Sequence, residues 1–111
     1  MTKYLHPYDV HYFNQLRDLA FYVATRFDLP LKDVKPSLAP RPRFLGWCDS
    51  SGRIKIAMRW KENGKWSRAR YTDATLIRTI AHELAHLRYM DHSKKHEEFT
   101  EEIFNFIWRR Q

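Results

Sequence analysis

A chain of 111 residues has room for one hydrophobic core, and 43% hydrophobic with 15% aromatic residues can fill it without disulfide staples. The 30% charged content, and the lack of any run near the roughly 18 apolar residues of a spanning helix, argue against a membrane protein. The net charge of +7 is concentrated: residues 41–70 hold Arg41, Arg43, Arg53, Lys55, Arg59, Lys61, Lys65, Arg68 and Arg70 against Asp49 and Glu62, an excess equal to the whole.

The opening Met1-Thr2-Lys3-Tyr4-Leu5-His6-Pro7 lacks the apolar stretch of a secretory signal. From Asp9 to Phe27, Phe13, Leu16, Ala20, Val23 and Phe27 recur at three- and four-residue spacing, which predicts an amphipathic helix. Pro30, Pro36, Pro40 and Pro42 then interrupt regular structure and predict an extended connection. Arg43 to Cys48 reads as a short strand, and Asp49-Ser50-Ser51-Gly52 supplies turn residues. Cys48 is the only cysteine, so neither an internal disulfide nor a cysteine-based zinc site is expected, and a cytoplasmic setting is the simplest expectation.

Arg53 to Trp60 alternates, with Ile54, Ile56, Met58 and Trp60 on one face. Asn63-Gly64 predicts a two-residue hairpin turn that returns the chain as Lys65 to Tyr71, with Lys61 opposite Trp66 and Trp60 opposite Ser67. In that register Ala69 and Tyr71 also face inward, and Lys55, Arg59, Lys61, Trp66, Arg68 and Arg70 share the outer face. Cations interleaved with tryptophan suit a nucleic-acid surface, and equally suit a hairpin edge kept soluble by charge.

Thr72-Asp73 offers a helix N-cap, followed by an apolar stripe of Leu76, Ile77, Ile80, Ala81, Leu84 and Leu87. A last helix is predicted from about Ser93 to Arg109, burying Phe99, Ile103, Phe106 and Ile107. The expected architecture is a single α+β domain over residues 1–111: an N-terminal helix, a small antiparallel sheet with hairpins, a helix carrying the chemistry and a C-terminal helix.

The chemistry lies in His82-Glu83-Leu84-Ala85-His86. Histidines four residues apart on a helix project from one side, so two imidazoles can reach one zinc ion. Glu83 sits about a sixth of a turn beyond their shared edge, where a general base for a zinc-activated water is needed. The histidine edge lies away from the apolar stripe, so one helix can pack on the core and still present a metal site. A catalytic zinc takes a third protein ligand and leaves one position open. His92 follows a turn at Met90-Asp91, His96 is its rival, and Glu97 and Glu101 are carboxylate alternatives. For an oxyanion donor the sequence offers Tyr71, Arg88 and Tyr89.

These residues resemble a known group. Phe44-Leu45-Gly46-Trp47-Cys48-Asp49-Ser50-Ser51-Gly52-Arg53-Ile54-Lys55-Ile56 is similar to the strand-turn-strand ahead of the active helix in SprT-like and YgjP-like metallopeptidase domains. His82-Glu83-Leu84-Ala85-His86-Leu87 with Met90-Asp91-His92-Ser93-Lys94 resembles the zinc segment of the same group, which includes WLM domains and Spartan-type proteases. The resemblance spans about residues 44–99. It implies a minimal zincin-like peptidase with His82, His86 and His92 as zinc ligands and Glu83 as general base. Family members usually carry an aromatic residue where this chain has His96. Metzincins share the spacing but place glycine at the position of Tyr89. SprT-like proteins are associated with DNA, which implies a DNA-associated setting here.

The expected function is therefore zinc-dependent hydrolysis of peptide bonds. Two alternatives stand beside it: a catalytically silent zinc-stabilised module binding nucleic acid or protein, and a zinc hydrolase of a small phosphorylated substrate.

Overall fold

The computed structural model describes residues 4–37, 45–62 and 64–110. Arg41, Arg43 and Phe44, the prolines Pro40 and Pro42, and Asn63 of the predicted turn lie outside the described residues.

A short 3₁₀ turn (Pro7–Asp9) leads into helix α1 (Val10–Arg26), whose buried face is Phe13, Leu16, Ala20, Val23 and Ala24. Helix α1 stops where Asp28 takes the left-handed conformation (φ 57°), and the Leu29 amide reaches back to the Ala24 carbonyl at 2.7 Å. Strand β1 (Asp33–Ser37) follows, inside the predicted proline-rich connection. It pairs parallel with β3 (Arg53–Ala57), and β2 (Gly46–Cys48) pairs antiparallel on the other side, giving the order β1-β3-β2. The sheet is therefore mixed rather than antiparallel. Pro36 is accommodated because β1 is an edge strand, where a missing amide donor costs no ladder bond on the open side.

The β2–β3 turn is built by Asp49, whose Oδ1 accepts from the Ser51 amide (2.9 Å), the Ser51 hydroxyl (2.6 Å) and the Arg53 amide (3.1 Å). Gly52 stands at φ 95°, and a Cβ there would lie 2.2 Å from the Pro30 carbonyl oxygen, so only glycine fits.

Strand alternation holds through Ile56 and then fails. Ala57, Met58 and Arg59 are all buried, and β3 ends at Ala57 instead of continuing into a long hairpin. The hairpin contracts to β4 (Lys61–Glu62) and β5 (Lys65–Trp66), with Lys61 opposite Trp66 as expected. Ala69 is exposed, against expectation. The larger correction concerns Arg59. It is not on an outer basic face: it is 8% exposed and paired with Asp9, itself 2% exposed, at 2.6 Å (Nε to Oδ2) and 3.1 Å (Nη2 to Oδ1). Its Nη1 also donates to the Ser67 and Arg68 carbonyls. Arg70 is likewise engaged, 3.0 Å from Asp73 and over the Tyr12 ring. Lys55, Lys61 and Arg68 remain exposed.

Helix α2 (Asp73–His86) starts at an N-cap Thr72 that accepts from the Thr75 amide, and α3 (Lys94–Trp108) starts at Ser93, which accepts from the His96 amide. Leu76, Ile77, Ile80, Ala81, Leu84 and Ala85 of α2 meet Phe99, Ile103 and Ile107 of α3, while Ile54, Ile56 and Val34 bring the sheet onto the same core. Among the described residues no helix is long and apolar enough to cross a membrane.

Candidate metal centre

The apolar stripe of α2 faces α3 and α1, which turns the flank carrying His82, Glu83 and His86 toward the open edge of β2. A cleft of about 570 Å³ results, lined on the strand side by Leu45, Gly46, Trp47 and Cys48, and on the helix side by Arg78, Thr79, His82, Glu83 and His86. Met90 and His92, from the α2–α3 connection, close one end. Spacing along α2 identified the two histidines and Glu83. Arg78 and Thr79 were not singled out, although they lie four and three residues before His82 on the same helix and that spacing could have found them; Trp47 reaches the site only through the docking of β2 against α2.

Glu83 is 6% exposed, and burial pushes its carboxyl from 4.5 up to about 7. The strand approaches it closely: a Cβ on Gly46 would lie 2.7 Å from Thr79 Cγ2 and 2.9 Å from Glu83 Oε2. Burial, followed by the neighbouring histidines, lowers His82 to about 4, and burial also lowers His86, so both imidazoles are neutral at pH 7 and have lone pairs to offer. The His86 Nδ1 donates to the Tyr89 carbonyl at 3.1 Å, which leaves its Nε2 bare. That Nε2 lies 3.2 Å from His82 Nε2. Two nitrogens on one tetrahedral zinc, each about 2.0–2.1 Å from it, stand roughly 3.3 Å apart, so the pair fits a shared ion.

Four histidines meet at this point. One ring nitrogen from each of His82, His86 and His96 lies within 4.8 Å of the others, and on distance these three could bind a metal ion. His92 is outside that group of converging nitrogens, although its ring centroid lies 5.2 Å from His82 and 4.7 Å from His86. Imidazoles on one tetrahedral zinc have centroids roughly 5 Å apart. The His82, His86 and His92 rings meet that spacing at 4.8, 5.2 and 4.7 Å. His96 approaches His86 to 4.0 Å with the ring planes only 26° apart. At 4.0 Å two near-parallel rings can only lie face to face, and their in-plane lone pairs do not converge. At the 5.2 Å and 27° of His82 and His92, edge-to-edge sharing of an ion is open. The donor set, all nitrogen with a carboxylate alongside, suits zinc.

The molecule shares its fold with Wss1. The crystal structure of a Wss1 mutant from Saccharomyces cerevisiae superposes with a TM-score of 0.74, covering 97% of this chain and 85% of that one at 17% identity. The architecture is thus a minimal zincin-like fold. No family model and no curated protein matches the sequence.

None of the three oxyanion donors read from the sequence lines the cleft. Arg88 Nη2 donates to the Phe27 carbonyl at 2.6 Å, with its guanidinium over Phe99. Tyr89 packs edge-on to Phe99. Tyr71 packs against Trp60, and among the described residues its buried hydroxyl has no partner. Glu97 and Glu101 are exposed on α3, Glu101 in an ion pair with Arg78.

Proposed function

We propose that the protein is a zinc-dependent metallopeptidase, with His82, His86 and His92 as ligands and Glu83 as general base. The observation that carries this reading is the pair of His82 and His86 Nε2 atoms 3.2 Å apart, the separation one zinc requires, with the His92 ring at the same cleft and a buried carboxylate beside them. The fold shared with Wss1 and the resemblance of the zinc segment to SprT-like domains support it.

Zinc bound there supplies a Lewis acid that polarises the scissile carbonyl and brings the pKa of water toward neutrality. Glu83 holds the transferred proton: burial raises its proton affinity to near neutral pH, so it can take a proton from water and return it to the leaving amine. Gly46 lets the strand lie against Glu83 and keeps the carboxylate on the helix side of the cleft. The exposed faces of Trp47 and Met90 give substrate side chains apolar surface on either side of the reacting groups. Retention of Glu83 distinguishes this from a silent zinc module, which has no use for a base, and a peptide library assayed beside phosphorylated small molecules separates it from a phosphohydrolase.

Gly46→Ala tests the geometry. The added methyl must displace Thr79 or Glu83, and turnover is expected to fall about 10²-fold while zinc content stays at wild-type level, as read by peptide cleavage and elemental analysis. We also place the protein in a DNA-associated setting. Exposed Lys55 and Lys61 lie over Trp47 and Trp66 at 5.3 and 4.5 Å, and Arg68 is exposed nearby in sequence, a composition suited to phosphates and stacked bases. Lys55→Glu/Lys61→Glu should weaken binding of a short duplex about tenfold at low salt in a fluorescence titration, and undiminished binding would remove the hairpin from that role.

A further inference from the structure

The fourth histidine has no place in that reaction. His96 is 2% exposed, although it belongs to the first turn of a helix whose neighbours Lys94, Lys95, Glu97 and Glu98 are exposed. Burying an imidazole costs free energy unless its nitrogens are used. Its Nε2 lies 3.0 Å from the carbonyl oxygen of His82, and as donor it leaves Nδ1 bare. One ring face lies against His86, with centroids 4.0 Å apart. The residue is itself held at both backbone ends: Ser93 Oγ accepts from its amide at 3.4 Å, and Thr100 Oγ1 donates to its carbonyl at 2.9 Å.

We infer that His96 is a positioning residue for the metal centre and not a ligand: it fixes the His82 backbone by a hydrogen bond and the His86 ring by face contact. The inference rests on the ligand set proposed above. The helix sets the four-residue spacing of the two α2 histidines but not their ring torsions, and the His86 ring can change rotamer about χ1 and χ2 until something covers its faces. His96 covers one face, and the Tyr89 carbonyl fixes the ring's rotation through Nδ1. A phenyl ring at position 96 would supply the face contact without the donor. The imidazole supplies both, and so ties the first turn of α3 to the last turn of α2 where the ligands sit. Partners that orient metal ligands in this way typically contribute about 10–100-fold to metal affinity.

The test uses the full chain with zinc and cobalt as probes. Long-range ¹H–¹⁵N spectra of the zinc-loaded protein should show zinc-shifted ring nitrogens in His82, His86 and His92, and no zinc shift in His96, whose Nε2 carries a proton toward the His82 carbonyl. His96→Ala should still bind one metal per chain with an unchanged cobalt absorption band, while chelator competition reports an affinity lowered about 10–100-fold. His96→Phe should recover part of that loss, and its metal-free melting temperature gives a check that the fold is intact. A zinc-shifted His96 nitrogen with an unshifted His92, or a changed cobalt band in His96→Phe, would overturn the inference and make His96 the third ligand. Wild-type affinity in both His96 variants would also overturn it. Wild-type protein that binds no zinc would instead sink the proposed function itself.

Discussion

Glu83→Gln is expected to lower peptide hydrolysis by about 10²–10⁴-fold while leaving one zinc bound, the range that loss of a positioned general base produces. The same substitution should stabilise the metal-free protein, and the sign follows from linkage. The Glu83 carboxyl is raised from 4.5 to about 7 by burial, so the folded state holds its proton more tightly than the unfolded chain does. That contribution to stability is complete below about pH 4.5 and is lost as pH rises through about 7. Glutamine, which never ionises, escapes the loss. In urea unfolding with zinc chelated, Glu83→Gln should exceed wild type by up to about 3 kcal/mol at pH 8, and the gap should close toward pH 4.5. His82, lowered to about 4, destabilises both proteins alike as pH falls from 6.5, and so cancels in the comparison. A residue that weakens the empty fold and is nevertheless present marks chemistry rather than packing. Equal stabilities at pH 8 would show that Glu83 is solvated well enough to ionise without cost.

The second large effect lies away from the cleft. Arg59→Ala should cost about 3–5 kcal/mol, because it leaves the Asp9 carboxylate buried and unpaired. A domain of this size has about 5–15 kcal/mol in total, so the variant would populate unfolded chains at 37 °C and lose well over ~10 °C in melting temperature. Arg59→Met/Asp9→Leu removes both charges and should recover most of the loss, since the desolvation cost disappears along with the attraction. The Arg59 guanidinium ties Asp9, at the entry to α1, to the carbonyls of Ser67 and Arg68, and so joins the chain's first helix to the segment leading into α2. Thermal unfolding of the single and double variants decides the matter. A single variant within 1 kcal/mol of wild type would mean that the pair is solvated.

The helices were legible because their signals are local. Thr72 and Ser93 cap α2 and α3 where the sequence places them, and the apolar spacing of α1 matches its buried face. Strand β1 was hidden because Pro36 argues against a strand unless the partner and the open edge are known, and its partner lies twenty residues on, at Ile56. Arg59 was misplaced for a related reason: strand alternation put it outside, and Asp9, fifty residues earlier, holds it in together with the Ser67 and Arg68 carbonyls. At the site, the four-residue histidine spacing and Glu83 follow from helix geometry alone. The strand wall does not, because Trp47 becomes a neighbour of the histidines only when β2 docks against α2. His92 and His96 are not separated by any spacing rule, and in the fold nitrogen distances group His96 with His82 and His86 while the ring planes favour His92.

Elemental analysis of the purified protein, alongside His82→Ala and His92→Ala, tests the central claim most directly. About one zinc per chain in wild type, lost in both variants, is the result expected of a three-histidine centre. Wild-type protein that carries no stoichiometric zinc, with zinc present throughout purification, would contradict it.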